Sequence, residues 1–419
     1  MNSDKNFSAM IGDCGTKVPG LGVIIFRGGK EIFSAFHGRR DIAANKPVTR
    51  HTRFRAASVS KIFTIFAVMQ LVERGKLNLD DDAGKYLGFE LRNPNQPQKK
   101  ISIRLLASHT SSLRDGEIYS IPPAVSVEEF FSPRGAFWED GAHFAPPAEK
   151  IGEYFTYSNL NYGLLGTIVE RVTGKRFDIF QRENLFRQLD INADYLPANL
   201  SPSEFEQLGA VYRKKNSSGL WNEYGAWFGT VDDFGGVQPP RDTVRLQNPY
   251  AENFQAEYNL ADYRVGTNAT IFSPQGGLRI SFDELARTLK MILNGGIWRG
   301  RRILSRESLA EIFKSQWIFD GTNGDTYGGV MLNYGLGTYR IDGASSARLC
   351  RKHVVNLVGH SGAAFGMLSG IFFRPNTQDG FVYMLNGTAI SEDDPRSRGQ
   401  FSGNYIWEER ITDAILSIG

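Results

Sequence analysis

Two strand pairs stand at opposite ends of this 419-residue chain, with helical patterning between them, and that arrangement constrains the fold more than any other feature. Near the N-terminus, Leu21 to Phe26 and Glu31 to Phe36 are strand-like runs separated by Arg27-Gly28-Gly29-Lys30. The Gly-Gly pair supplies the positive φ that a tight hairpin turn requires. Near the C-terminus, Met367 to Phe373 and Phe381 to Leu385 form a second pair around a turn with Pro375, Asn376, Asp379 and Gly380. Both ends are therefore expected to build one antiparallel sheet. Ile406, Trp407, Ile411, Ile415 and Leu416 fall at helical spacing, which predicts a closing helix packed on that sheet.

Between the ends the period is helical. Ile62 to Met69 has only Thr64 as a polar residue, and a helix apolar on all sides is a buried helix; Gly75 stops it. Asn159 to Val172 carries Leu160, Leu164, Ile168 and Val172 at intervals of four, with Gly174 as the C-terminal stop. Ser281 to Leu293 opens on a Ser281/Glu284 capping box. Two stretches, Asp115 to Lys150 and Pro197 to Thr270, show no sustained period and are rich in Gly, Pro, Asn and aromatics. Such segments are lids, binding loops or surface insertions, and Trp221, Tyr224, Trp227 and Phe228 argue against disorder in the second.

Charge and cysteine content exclude several functions. Lys and Arg total 48 against 45 Asp and Glu, a net charge of +3 without a basic stripe, so neither nucleic acid nor a membrane surface is an expected partner. A small-molecule or peptide substrate is expected instead. No apolar run approaches the roughly 20 residues of a membrane span, and Met1 to Lys5 lacks the pattern of a signal peptide. The chain reads as cytoplasmic as given, or as exported if a signal has been trimmed. Cys14 and Cys350 are too few for a disulfide framework or thiolate metal site, and their pairing is open. None of the six histidines stands at zinc-hydrolase spacing, and no phosphate-binding glycine loop occurs, so no metal or cofactor is expected. Gly359-His360-Ser361-Gly362-Ala363 comes within one residue of a nucleophile elbow, but no histidine follows His360, which removes the α/β-hydrolase reading.

Three short elements remain. Ser58-Val59-Ser60-Lys61 precedes the buried helix, and residues three apart share a helix face, so the Lys61 amine can reach the Ser58 hydroxyl. Burial favours a neutral amine, which can take the serine proton, and the helix N-terminus offers amide donors to an oxyanion. Tyr157-Ser158-Asn159 stands ahead of the second helix; a tyrosine near cations loses its proton more readily and can relay it. His360-Ser361-Gly362, followed by Ala363 and Ala364, lies on the strand that begins the C-terminal hairpin, where a backbone N–H can complete an oxyanion hole. Each has a plain structural alternative: Ser58 and Asn159 as helix caps, Tyr157 as packing, His360 as a satisfied buried ring.

Taken in this order, the three elements resemble the serine β-lactamase and penicillin-binding-protein superfamily, in the branch of class C β-lactamases, D-alanyl-D-alanine carboxypeptidases, D-aminopeptidases and esterases. The resemblance runs from Leu21 to the final helix. It includes Leu105-Leu106-Ala107-Ser108-His109-Thr110-Ser111-Ser112-Leu113, with Ser112 where the family pattern has Gly, and Tyr334-Gly335-Leu336-Gly337. It implies an α+β fold in one catalytic domain spanning 1–419: an antiparallel sheet with terminal helices, from about 1–57 and 297–419, and a mainly helical part, about 58–296, with a long insertion at 197–270. It further implies Ser58 as the acylated nucleophile, Lys61 and Tyr157 as the general-base pair, and Asn159 as a contact to a substrate amide. His360, Ser361 and Gly362 would bind substrate, and the Ser58 and Ala363 amides would form the oxyanion hole.

The third element departs from the Lys-Thr-Gly usual in class C β-lactamases. Histidine is mostly neutral where lysine is a fixed cation, so attraction for a β-lactam carboxylate is expected to be weaker. The expected function is a serine hydrolase of ester or amide bonds, with D-amino-acid peptides among the candidates. The alternatives are a class C-like β-lactamase and, in another class, a catalytically silent penicillin-binding module, whose signature would be loss of Ser58, Lys61 or Tyr157.

Overall fold

The computed structural model describes Phe7 and residues 17–218, 220–247 and 255–418. Nine strands form its main sheet, numbered here in chain order: β1 Gly20–Arg27, β2 Lys30–Asp41, β3 Lys46–Pro47, β4 Trp317–Ile318, β5 Asn333–Tyr334, β6 Tyr339–Ile341, β7 Leu357–Ala364, β8 Met367–Phe373 and β9 Gly380–Leu385. Their spatial order is β4-β5-β6-β7-β8-β9-β1-β2-β3, with every neighbouring pair antiparallel. The two chain ends meet in the middle of the sheet, where Leu21 pairs with Leu385 and Phe26 with Gly380. Gly28 (φ 54°) and Gly29 (φ 74°) turn the first hairpin as their sequence requires.

Helices cover both faces. The four longest are α1 Ser60–Glu73, α2 Leu160–Thr173, α3 Phe282–Leu293 and α4 Ile406–Leu416. Leu21, Val23 and Ile25 point into an apolar cluster shared with Trp407, Ile411 and Ile415 of α4. Ile24 and Phe26 point the other way, into the larger cluster built on α1, α2 and α3. This explains why β1 is apolar throughout instead of alternating: a strand buried on both faces has no solvent side. α1 is buried from Ser60 through Leu71, in keeping with its all-round apolar sequence. α3 opens on the Ser281/Glu284 capping box, and α2 ends on Gly174 at φ 68°.

A short strand, Arg53–Arg55, leads into α1 and pairs antiparallel with Arg279–Ser281. It is tied to α3 by a buried two-pronged ion pair, Arg53 donating to both carboxylate oxygens of Glu284. Two expectations change. The insertion 197–270 is not irregular: Val211–Lys215 pairs with Ala226–Val231 and runs beside Gly387–Thr388, and Thr243–Gln247 pairs with Gln255–Asn259. These are short strands interrupted by turns, too brief to leave a period in the sequence. In 115–150 the described residues form the 3₁₀ turns Val127–Phe130 and Glu139–Gly141 and a single bridge from Phe144 to Leu113, yet Ile121, Val127 and Phe130 are fully packed in the core. Cys14 lies outside the described residues; the buried Cys350 thiol donates to Asp413 at 2.8 Å.

Candidate active site

Ser58 stands in a 3₁₀ turn, Ala57–Val59, that runs directly into α1. The residue before it, Ala57, has φ 46°, a left-handed conformation that costs an alanine energy and that the surrounding packing must impose. From Ala56 through Leu71, Ser58 alone is not fully buried. Its side chain caps no helix; the α1 N-cap is Val59, without a side-chain cap bond. Lys61 is completely buried, and its Nζ lies 3.2 Å from Ser58 Oγ, 2.8 Å from Asn159 Oδ1 and 3.2 Å from the Gln275 carbonyl. Burial pushes its pKa down to about 7, with the charge of Asp115 working in the opposite direction.

The second element meets the first through a residue the sequence did not single out. Asp115, half-buried, accepts from Ser158 Oγ at 3.0 Å, from Asn159 Nδ2 at 2.9 Å and from the Leu160 amide at 2.9 Å. It therefore caps α2 from a distant loop, a role that neither Ser158 nor Asn159 fills. Burial raises the Asp115 pKa, opposed by those three bonds and by Lys61. Asn159 has its amide oxygen on Lys61 and its nitrogen on Asp115, so it bridges the two where a contact to a substrate amide was expected. No local pattern marks Asp115, which sits in the aperiodic stretch.

Tyr157 overturns one expectation about its charge. Its hydroxyl is hydrogen-bonded to Ser58, yet burial, with Tyr327, Tyr162 and Asp115 adding to it, drives its pKa well above the usual tyrosine value. The phenol is thus a proton donor rather than a phenolate, even with Lys61 Nζ 4.6 Å from its ring centre. His109 stacks on it at 4.4 Å and accepts the Ser158 N–H on Nδ1 at 3.1 Å, which fixes the Tyr157–Asn159 turn. Ser112, standing for the family's glycine, adopts φ 67°, the conformation glycine would take there.

The third element lies on β7, beside the Ser58 turn. His360 is buried, its Nδ1 donates to the Ser361 carbonyl, and Tyr334 Oη donates to its Nε2 at 3.1 Å. Since a carbonyl only accepts, these bonds assign the neutral Nδ1–H tautomer. Burial, with Lys61 nearby, pushes its pKa down to about 3. His360 is thus neutral near neutrality, in the direction expected of a histidine in place of lysine, and both ring nitrogens are occupied. Gly362 has a steric reason of its own: a Cβ there would lie 2.9 Å from the Ser58 amide nitrogen and 2.7 Å from the Ala56 carbonyl. The missing side chain lets β7 close on the Ser58 turn, with Ala363 next along the strand.

Ser58, Tyr157, His360, Ser361 and Ala363 line one cavity of about 50 Å³, together with Tyr327, Glu408 and others. Lys61 and Asn159 stand behind this wall. A second cavity, of about 310 Å³, begins at Arg55, Gln275 and Phe365 and extends under the insertion. Among the described residues no group of His, Cys, Asp and Glu could hold a metal ion, and no helix is long and apolar enough to cross a membrane.

A sheet covered by helices on both faces, with a Ser-x-x-Lys turn at the head of a buried helix and a Tyr-x-Asn turn facing it, is the architecture of β-lactamases and transpeptidases. The chain belongs to the Beta-lactamase family, whose model matches residues 7–402. It is similar over its whole length to the solved D-amino acid amidase of Ochrobactrum anthropi SV3, at 18% identity and TM-score 0.64, covering 100% of this chain and 99% of that one. It is likewise similar to EstCE1, described as a hydrolase with promiscuous acyltransferase activity, at 20% identity and TM-score 0.65, covering 99% and 100%. In sequence it is 27% identical over 200 residues to Protein flp of Staphylococcus aureus (strain MRSA252), covering 46% of this chain and 38% of that protein. The chain thus matches less than two fifths of the length of that relative.

Proposed function

We propose that the chain is a serine hydrolase that cleaves ester or amide bonds through an acyl-enzyme on Ser58. One observation carries this reading: the buried Lys61 amine, its pKa pushed down to about 7, lies 3.2 Å from the hydroxyl of the one residue in its segment that reaches a cavity. In its neutral form Lys61 takes the Ser58 proton as Oγ attacks the substrate carbonyl. The oxyanion is received by the Ser58 and Ala363 amides. Tyr157, a neutral phenol bonded to Ser58, donates its proton to the departing nitrogen or oxygen and recovers one through Lys61. Water then releases the acyl group by the reverse sequence.

D-Amino-acid amides and simple esters are the first substrates to test, in line with the amidase and EstCE1 likenesses. Two observations weigh against a class C-like β-lactamase: His360 is buried and neutral, and both its nitrogens are engaged, so it offers no cation to a β-lactam carboxylate. A catalytically silent module is disfavoured because Ser58, Lys61 and Tyr157 are all present and in contact.

The test is intact-protein mass spectrometry after treatment with a fluorophosphonate. One adduct is expected on the wild type, mapping to Ser58 and absent from Ser58→Ala. An adduct that persists in that variant, or maps to Ser361, would sink the assignment.

A further inference from the structure

The Ser361 hydroxyl is held from two sides by buried partners that leave it no proton to spare. Tyr339 Oη donates to Ser361 Oγ at 2.9 Å, and Ser361 is in turn hydrogen-bonded to Glu408. Glu408, only 2% exposed, also accepts from Tyr383 Oη at 2.9 Å and from the Tyr405 amide at 3.0 Å. The Tyr405 bond belongs to the capping box of α4, but a cap needs neither hydroxyl. Burial raises the Glu408 pKa to about 6, which still leaves the carboxyl ionised at neutral pH. A carboxylate only accepts, so the single Ser361 proton goes to Glu408, and the Tyr339 proton takes one of the two Ser361 lone pairs. What Ser361 has left for the cavity it shares with Ser58 is one lone pair.

We propose that this pair selects substrates that carry an ammonium group and rejects those that carry a carboxylate, with Ser361 as the contact and Glu408 as the residue that polarises it. The inference rests on the assignment of Ser58 above, and the ammonium group can stand on either side of the scissile bond. A lone pair accepts from an N–H and repels a carboxylate oxygen, and the charge of Glu408 strengthens both effects. Tyr327 adds an aromatic ring to the same cavity, a surface that attracts cations. Lys61 is neutral when it acts as the base. The opposing charge is Arg398, which lines the cavity too. It is exposed, lies over the Tyr405 ring at 4.5 Å and donates to the Gly403 carbonyl at 3.4 Å. It acts on Glu408 less than burial or any of the three hydrogen bonds does. Solvent ions screen an exposed charge more than a buried one, so the wall at Ser361 keeps the sign of Glu408.

Two matched pairs of esters on the full chain, followed by pH-stat at neutral pH, test the selection. One pair carries the charge on the acyl group, D-alanine methyl ester against methyl isobutyrate. The other carries it on the alcohol, 3-aminopropyl butyrate against butyl butyrate. Within each pair the ratio of kcat/KM, ammonium over neutral, cancels any general loss of activity. Glu408→Gln and Ser361→Ala should each lower that ratio by about tenfold in at least one pair, the worth of a hydrogen bond to a charged group. A purely structural role would slow both members of a pair alike and leave the ratio unmoved. Should Glu408→Gln fail to fold, Ser361→Ala decides. With a Ser58 adduct present, a ratio that either folded variant leaves at the wild-type value in both pairs would overturn the charge selection alone. So would a wild-type preference for 2-carboxyethyl butyrate over butyl butyrate that Arg398→Met abolishes. Absence of any Ser58 adduct would overturn the nucleophile assignment and this inference with it.

Discussion

Asp115 reaches Lys61 only through Asn159, whose amide accepts from the lysine at 2.8 Å and donates to the carboxylate at 2.9 Å. The charge of Asp115 holds the Lys61 pKa up while burial pulls it down to about 7. If neutral Lys61 is the base, kcat/KM should rise with pH through a midpoint near that value. Removing the charge in Asp115→Asn should move the midpoint to lower pH. The pH profile of ester hydrolysis measures this, and a midpoint that stays fixed or moves upward would place the base elsewhere.

Tyr157→Phe removes the donor while retaining the ring that packs against His109. Loss of a general acid typically costs roughly 10²–10⁴-fold, and kcat/KM for an unactivated amide should fall within that range. An ester with a good leaving group needs less protonation and should lose less. Equal losses on both substrates would argue for a positioning role instead.

Gly362→Ala should impair acylation more than folding. The added Cβ would meet the Ser58 amide at 2.9 Å and the Ala56 carbonyl at 2.7 Å, both main-chain atoms that yield only by shifting the turn. A displacement of about 1 Å at a reacting group can cost about 100-fold. The rate of phosphonate labelling should drop by one to two orders of magnitude in a variant with a native circular dichroism spectrum. A wild-type labelling rate would show that β7 tolerates the methyl group without moving Ser58.

His360 makes stability depend on pH. Its folded pKa, about 3, lies below the roughly 6.5 of an unfolded histidine. Between those values the unfolded chain binds more protons, so stability falls as the solution is acidified from neutrality through that window. His360→Gln lacks this penalty. The urea midpoint should therefore drop less between pH 7 and pH 4.5 in the variant than in the wild type, and identical drops would refute the neutral buried ring.

The hairpins at both ends, the all-apolar α1, the Ser281 cap and the Gly174 stop were legible because each is set by neighbours within one or two turns of chain. The order Ser-x-x-Lys, Tyr-x-Asn, His-Ser-Gly was legible for the same reason, and it carried the family resemblance. Strand pairs inside the insertion were not, since their strands are five or six residues long and turns divide them.

What the sequence by itself determined is which side chains exist to do chemistry and which helix or strand carries each. Their protonation states were decided only by the tertiary structure. Lys61 becomes a candidate base because α1 is enclosed; partial burial favours the protonated phenol of Tyr157, and full burial the neutral ring of His360. Asp115 enters the site from 44 residues before Asn159. Desolvation and Coulomb interactions depend on distance in space, and the fold sets those distances between residues far apart in the chain.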